Sequence, residues 1–240
     1  MKRFIRLIAI VMVVNLSAAT ALFAGGDSPE IAAARKARDH GAADDLRAAI
    51  AKAQKEANEK NTFDAYLRLA LFHEYLIEVL QAKQDEKLIK MTAQAGIAIA
   101  EKAVKLNPES SEAHQLLGSM LGELIPYVFG GGMRYGSRSE KEIETAIKLN
   151  PKNSDAYVTR AISYLYTPAA FGGSRDKAFE MLHKAVEANP SSETPHIWLA
   201  QSYLETGKRD DAKREINEAL RLNPERGFAM YILDLINKGK

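Results

Sequence analysis

The chain contains no cysteine among its 240 residues. A disulfide framework, a thiol nucleophile and a zinc site built on cysteine are therefore excluded. Its 33 basic and 31 acidic residues nearly cancel, and no basic stripe with interleaved aromatic residues is present. The sequence thus lacks the electrostatic footprint of a nucleic-acid-binding protein, and we expect no nucleic-acid partner.

Motifs of catalysis are missing as well. His73 and Glu74 do not continue as the H-E-x-x-H zinc motif, because Ile77 stands where the second histidine belongs. The glycine-rich segment 130–136 has no Walker lysine and does not follow the G-x-G-x-x-G spacing. We therefore predict that the protein is not an enzyme, and we assign no catalytic, metal-binding or cofactor-binding residue.

The longest apolar run lies near the N-terminus. Three basic residues among the first six precede the apolar run 7–14, which small residues follow. The run is shorter than the roughly 20 residues that a membrane span needs. This pattern is typical of a secretory signal peptide, here residues 1–24, cleaved near Ala24 or Ala21. An uncleaved anchor is the alternative. We expect a periplasmic or secreted protein without a stable membrane span after cleavage.

A recurring proline organises the rest of the chain. Leu-Asn-Pro occurs at residues 106–108, 149–151 and 222–224, and Ala-Asn-Pro at 188–190. Successive prolines are 43, 39 and 34 residues apart. A step of 34 residues with helical patterning and a terminal proline is the period of a tetratricopeptide repeat. The longer steps are interpreted as the same unit with insertions.

Residues 193–224 carry this resemblance most clearly. Small and large apolar residues, a turn glycine and the terminal proline fall where the family has them: Leu199, Ala200, Tyr203, Gly207, Ala212, Ile216, Ala219 and Pro224. The chain therefore resembles the tetratricopeptide repeat (TPR) family, as an exported bacterial member. It departs from the family at the fourth position of the unit, where tryptophan is favoured. Tyrosine or histidine stands there instead: Tyr66, His114, Tyr157 and His196.

The resemblance implies an all-α, right-handed solenoid of helix-turn-helix repeats. We predict a linker and a degenerate first repeat over residues 25–61, and the solenoid over 62–240. Its units are placed at 63–108, 111–151, 154–190 and 193–224, with a capping helix at 227–238. The linker is placed at 25–29, and the turn of the longest unit at 82–85.

Two inserted loops share the pattern Pro-x-x-Phe-Gly-Gly and fall between the two helices of their units. The residues assigned to them are Phe129, Gly130, Gly131, Phe171, Gly172 and Gly173. Glycine there permits positive φ or a close backbone approach. One interpretation is that each phenylalanine plugs the end of its own helix pair. The other is that both loops project from one edge and form a wall of a binding site.

The resemblance also implies a concave surface lined by the first helix of each pair. The candidate groove residues are Leu67, Leu71, Gln115, Val158, Ile162, Leu165, Ile197, Gln201 and Leu204. No Lys, Arg or Asn occupies these inward positions, so we exclude the family's grip on a peptide carboxylate. The lining is expected to be largely aliphatic, which suits an amphipathic helix or an apolar small ligand. The alternative is that the C-terminal helix or a second copy covers it.

The predicted function is a non-catalytic scaffold of the cell envelope, which binds a partner protein or peptide through the groove or the loops. The alternative is a periplasmic accessory of a transport system that handles a small apolar ligand. This alternative comes from a likeness to the helical component of tripartite transporters. The absence of cysteine counts against it, since those components are lipoproteins.

Overall fold

The computed structural model describes residues 28–238, which form eleven α-helices. The proposed signal peptide lies outside the described residues. The helices are α1 (Pro29–Asp39), α2 (Ala43–Lys60), α3 (Phe63–Ala82), α4 (Glu86–Leu106), α5 (Ser111–Leu124), α6 (Ser137–Leu149), α7 (Ser154–Tyr166), α8 (Arg175–Ala188), α9 (Thr194–Glu205), α10 (Arg209–Leu222) and α11 (Gly227–Lys238). No β-strand occurs within 28–238. None of the helices in this range is long and apolar enough to cross a membrane.

The helices begin and end where short-range chemistry dictates. The predicted linker includes Pro29, but in the structure Pro29 is the first residue of α1. Ser28 caps this helix by accepting the Ile31 N–H, and proline suits the first helical turn. The turn of the longest unit, predicted at 82–85, lies at 83–85, because Ala82 is still the last residue of α3.

The recurring Asn-Pro dipeptide ends four helices in the same way. Helices α4, α6, α8 and α10 each stop one residue before the asparagine. Its backbone is extended, as a residue before proline requires. The asparagine side-chain oxygen then accepts the N–H two residues further on, at 3.0–3.2 Å. The dipeptide is therefore a turn that releases the chain into the next unit.

Consecutive helices pack as helix hairpins, in which small residues set the spacing. The alanines that precede each Asn-Pro turn are fully buried: Ala103, Ala146, Ala185 and Ala219. At Gly118 of α5, a Cβ would overlap the side chain of Ile143 on α6. Small residues thus let paired helices approach closely while larger neighbours fill the remaining space. The hairpins confirm the predicted all-α solenoid.

The hairpins stack in two layers. The inner helices, α1, α3, α5, α7, α9 and α11, each contact the next one in this series, and α11 also contacts α1. The second helices of the hairpins lie outside them. The capping helix therefore does more than cover the last repeat: it joins the first helix and closes the inner layer into a ring.

Candidate functional site

The ring of inner helices surrounds a groove of about 1660 Å³. All six inner helices line it, so its surface comes from residues as far as 200 positions apart in the chain, from Arg35 to Leu235. The two inserted loops border it through residues such as Met133 and Phe171. The chain covers its own groove in part, because its first and last described helices, α1 and α11, close one side.

The groove is acidic. Eight carboxylate side chains line it against five cationic ones, and Arg38, Arg160 and Arg226 form ion pairs with Glu193, Glu140 and Glu78 of the same lining. The carboxylates are Glu74, Glu78, Glu112, Glu123, Glu140, Asp155, Glu193 and Glu205. Most of the lining is still apolar, as expected, but the aliphatic residues share the groove with these carboxylates and with aromatic side chains. An apolar strip from α7 and α9 runs beside an anionic floor from α3 and α5.

Glu74 of α3 is one of the carboxylates of this floor. Its carboxylate accepts a hydrogen bond of 3.2 Å from Nε2 of Gln115, which also donates to Thr159 at 3.1 Å. Burial at the groove floor and the negative charge of Asp155 raise the pKa of Glu74 to about 7. Burial likewise raises the pKa of Glu123 to about 7. Near neutral pH these carboxyl groups favour a cationic ligand, which would stabilise their ionised forms.

Aromatic side chains form another part of the wall. Trp198 stands edge-to-face with Tyr166, with ring centroids 6.4 Å apart, and lies 6.2 Å from Phe228 of the capping helix. Tyr231 is stacked on Phe228 at 6.5 Å. Such rings offer apolar area together with faces that attract cations. The groove therefore presents carboxylates and aromatic faces to the same volume.

A buried set of charges holds the ring closed. This closure cluster consists of Arg38, Asp39, Glu78, Glu193 and Arg226, from α1, α3, the start of α9 and the turn before α11. Arg226 contacts Glu78 at 2.5 and 2.8 Å and Glu193 at 3.3 Å. Arg38 pairs with Asp39 at 2.7 Å and with Glu193 at 3.0 Å.

Backbone contact supports the closure cluster. A Cβ at Gly227 would lie only 2.6 Å from the carbonyl oxygen of Asp39, so the start of α11 rests directly on the end of α1. The side chain of Asn223 also donates to Asp39 at 3.0 Å. Ring closure therefore combines glycine-enabled backbone contact with buried ion pairs.

Seven of the nine predicted groove residues line the groove: Leu71, Gln115, Val158, Ile162, Ile197, Gln201 and Leu204. The other two do not. Leu67 is buried in the core that the first three hairpins share, and Leu165 packs against the core between α7, α8 and α9. Both face a neighbouring hairpin and not the ring's interior. Gln115, although it lines the groove, is largely occupied as the bridge between Glu74 and Thr159.

The loops do not plug their hairpins. Phe129 is fully exposed and Phe171 is 82% exposed, so the interpretation of buried plugs is wrong. The glycines act as predicted. Gly130 and Gly172 have φ of +68° and +97°, and a Cβ at Gly131 or Gly173 would overlap the carbonyl of the residue before the loop proline. Gly130, Gly172 and Phe171 border the groove, whereas Phe129, Gly131 and Gly173 do not.

Sequence reasoning missed the charged part of the site. Glu74 and Asp155 occupy inward register positions, and Glu78 and Glu123 extend the same helix faces by another turn, so a signal for the acidic floor existed. Arg226 stands in a turn, outside any inward register position, and nothing in the repeat pattern indicates it. In the described part of the chain, no group of three or more metal-ligating side chains could hold a metal ion.

Two protein families match parts of the chain. Residues 31–162, more than half of the chain, match the family described as "Regulator of microtubule dynamics protein 1-3". Residues 173–231 match a tetratricopeptide repeat family. No curated protein matches the chain.

Solved structures support the fold. TTC0263, described as a thermophilic TPR protein of Thermus thermophilus, is 20% identical, with a TM-score of 0.61 over 80% of this chain and 92% of its own. PilF of Pseudomonas aeruginosa is 19% identical, with a TM-score of 0.46 over 74% and 76% of the two chains. YrrB, described as a TPR protein with an unusual peptide-binding site, is 15% identical, with a TM-score of 0.43 over 91% and 97%. Of these three structures, TTC0263 supports the fold of this chain.

The two family matches and the observed hairpins agree with each other. They confirm the predicted membership of the TPR family, and they add a narrower family that the repeat pattern did not indicate. The chain belongs to the regulator of microtubule dynamics protein 1-3 family, and it is built from tetratricopeptide repeats.

Proposed function

We propose that the protein is a non-catalytic scaffold that holds a cationic, amphipathic segment of a partner protein in its ring-enclosed groove. The observation that carries this proposal is the coexistence of carboxylates, an aliphatic strip and aromatic faces around one volume of about 1660 Å³. TPR proteins in general bind protein or peptide partners. The family description concerns microtubule dynamics, and from it we carry over only the general role of acting through another protein.

The chemistry of the floor specifies the charge of the segment. Glu74 and Glu123 are half-buried carboxyl groups without a cationic partner among the described residues, each held by a neutral amide. An arginine or lysine of a partner would supply the positive charge that these carboxyl groups lack, since an opposite charge at short range favours the ionised carboxylate. The aliphatic residues Val158, Ile162 and Ile197 would cover the apolar side of the same segment.

A small apolar ligand, as in a transport accessory, remains the second candidate. The volume of the groove and its aliphatic strip favour it. The anionic floor disfavours it, because an apolar ligand would remove water from carboxylates without replacing it by hydrogen bonds. The geometry therefore supports a cationic polypeptide better.

We also propose that the protein is exported and acts in the periplasm or outside the cell. The support is the charged start, apolar run and small residues of 1–24. The mass of the chain recovered from the periplasmic fraction tests this proposal. A chain that begins just after Ala21 or Ala24 supports it, and an intact N-terminus in the cytosolic fraction contradicts it.

The groove is tested by binding of two labelled peptides. One is a short helical peptide of leucine and lysine, and the other carries glutamate in place of each lysine. Fluorescence anisotropy should show binding of the lysine peptide that weakens as salt is added. E74Q/E123Q should weaken it by about tenfold or more, because two partly desolvated charge pairs are lost. E187Q on the exposed outer face of α8 is the matched control.

Two results would contradict the proposal. One is equal binding of both peptides, and the other is an equal loss in E74Q/E123Q and E187Q. Native mass spectrometry of protein purified from its own cells separates the two candidate functions. A retained polypeptide supports the scaffold, whereas a retained small apolar molecule supports the transport accessory.

A further inference from the structure

The tips of the two inserted loops carry the most exposed large apolar side chains of the described residues. Phe129 is fully exposed, Met133 is 92% exposed and Phe171 is 82% exposed. A single exposed apolar side chain is common on folded proteins, whereas a matched set of large ones along one edge marks a candidate contact surface. Two consecutive hairpins present a phenylalanine in this way, so its exposure is a repeated feature of the fold.

The loop backbone holds these side chains outward. In each loop the first glycine has positive φ, and the second packs against the carbonyl of the residue before the loop proline. Ser174 then caps α8 by accepting the Lys177 N–H. In the other loop a π-helical turn, Gly132–Gly136, leads into α6. The projection of the two phenylalanines therefore follows from backbone geometry, and both loops lie at the edge where first helices turn into second helices.

Cations accompany the exposed side chains. Lys87 and Lys90 line the same cleft as Phe129, together with Glu86. Neither lysine forms an ion pair within the described part of the chain. Arg134, next to Met133, stacks on Tyr135 with its guanidinium 5.2 Å from the ring centroid and likewise forms no ion pair there. The loop edge thus combines apolar tips with cations that have no anionic partner.

We propose that the two Phe-Gly-Gly loops dock the protein on an anionic lipid bilayer, with Phe129 and Phe171 inserted at the headgroup boundary. Apolar tips in front of unpaired lysines fit a surface with anionic headgroups above an apolar layer. A protein partner would instead need a contiguous, shaped patch, and the tips are separate projections from two hairpins. Met133 and Phe171 also border the groove, but the proposed contact with the bilayer uses their exposed tips and requires no particular groove occupant.

The test places a reporter at each tip of the full chain. F129W and F171W are made separately, and the native Trp198, which lines the groove, supplies the baseline signal. Vesicles of phosphatidylcholine mixed with phosphatidylglycerol should shift the emission of both variants to the blue. Brominated acyl chains should quench that emission more than they quench the parent. This readout reports the loop tips even if the apolar run 7–14 also meets the membrane.

Vesicle flotation measures how much the two loops contribute to membrane binding. F129S/F171S should lower binding about a hundredfold, at about tenfold per phenylalanine. K87E/K90E should lower binding to anionic vesicles and leave binding to pure phosphatidylcholine unchanged. L106S/M230S, which changes two other exposed apolar residues, is the matched control and should bind as the parent does. Unchanged thermal unfolding of F129S/F171S shows that folding is not the cause.

The proposal is overturned if neither tryptophan responds to vesicles, or if the serine variant and the control float equally. Crosslinking at the loop tips to a protein partner, abolished in F129S/F171S without any effect of vesicles, would assign this edge to a protein. The peptide experiment on the groove does not depend on these outcomes.

Discussion

Closure of the ring depends on one buried arginine, Arg226. Arg226 is only 2% exposed and lies within 3.5 Å of carboxylates of Glu78, Glu193 and Asp39. The variant R226A removes the cation and leaves these acids in place. Arg38 still pairs with Asp39 and Glu193, so the carboxylate that loses its partner is that of Glu78. We therefore predict that R226A has a lower free energy of unfolding than the parent protein.

The size of this decrease follows from the burial of the ion pair between Arg226 and Glu78. Removing one partner of a buried ion pair costs about 3–5 kcal/mol, because a charge is left without compensation. The side chain of Glu78 is 29% exposed, so water recovers part of this and the lower end applies. We expect a loss of about 3 kcal/mol, which lowers the unfolding temperature by about 10 °C in a chain of this size. R221A is the matched control, since Arg221 is 67% exposed and pairs with Glu218 one turn away. It should change the free energy of unfolding very little, because water and salt screen an exposed ion pair.

The assay is urea unfolding of R226A, E78Q and the double variant, followed by circular dichroism. The double-mutant cycle should give a coupling energy of about 1.5 kcal/mol or more between Arg226 and Glu78. Hydrogen exchange should show faster exchange of the α1 amides, because the contact between α1 and α11 is weakened. The reasoning is refuted if R226A costs no more than R221A, or if the coupling is below about 0.5 kcal/mol.

Two further predictions concern the groove and the loops. Since burial raises the pKa of Glu74 from 4.5 to about 7, its contribution to stability is lost as pH rises through that range. E74Q should therefore raise the free energy of unfolding by about 1–2 kcal/mol near pH 8 and leave it unchanged near pH 4. An equal effect at both pH values would contradict this. G173A should cost more than about 1 kcal/mol, because its Cβ would overlap the Thr167 carbonyl. G132A, whose Cβ would meet nothing, is its control in thermal unfolding, and equal effects of the two would refute the loop geometry.

Parts of the candidate site were accessible from the sequence, and the reasons are local. Inward positions on a helix follow from its period, so most predicted groove residues do line the groove. Leu67 and Leu165 fail because the angle between neighbouring hairpins decides whether a residue at the margin of a helix face meets the groove or the next hairpin. The usual burial of phenylalanine favours the plug interpretation of the loops, but the glycine geometry directs both side chains outward.

The sequence by itself determined the hairpins. Asn-Pro turns, buried alanines and Phe-Gly-Gly loops act within a few residues or between paired helices, where backbone conformation and side-chain size decide the outcome. The tertiary structure alone decided that the inner helices form a ring. Closure depends on small rotations summed over successive hairpins, and it brings Glu78 to Arg226, 148 positions away. Side chains on different inner helices then share one confined space, and their mutual electrostatics give the groove its acidic character.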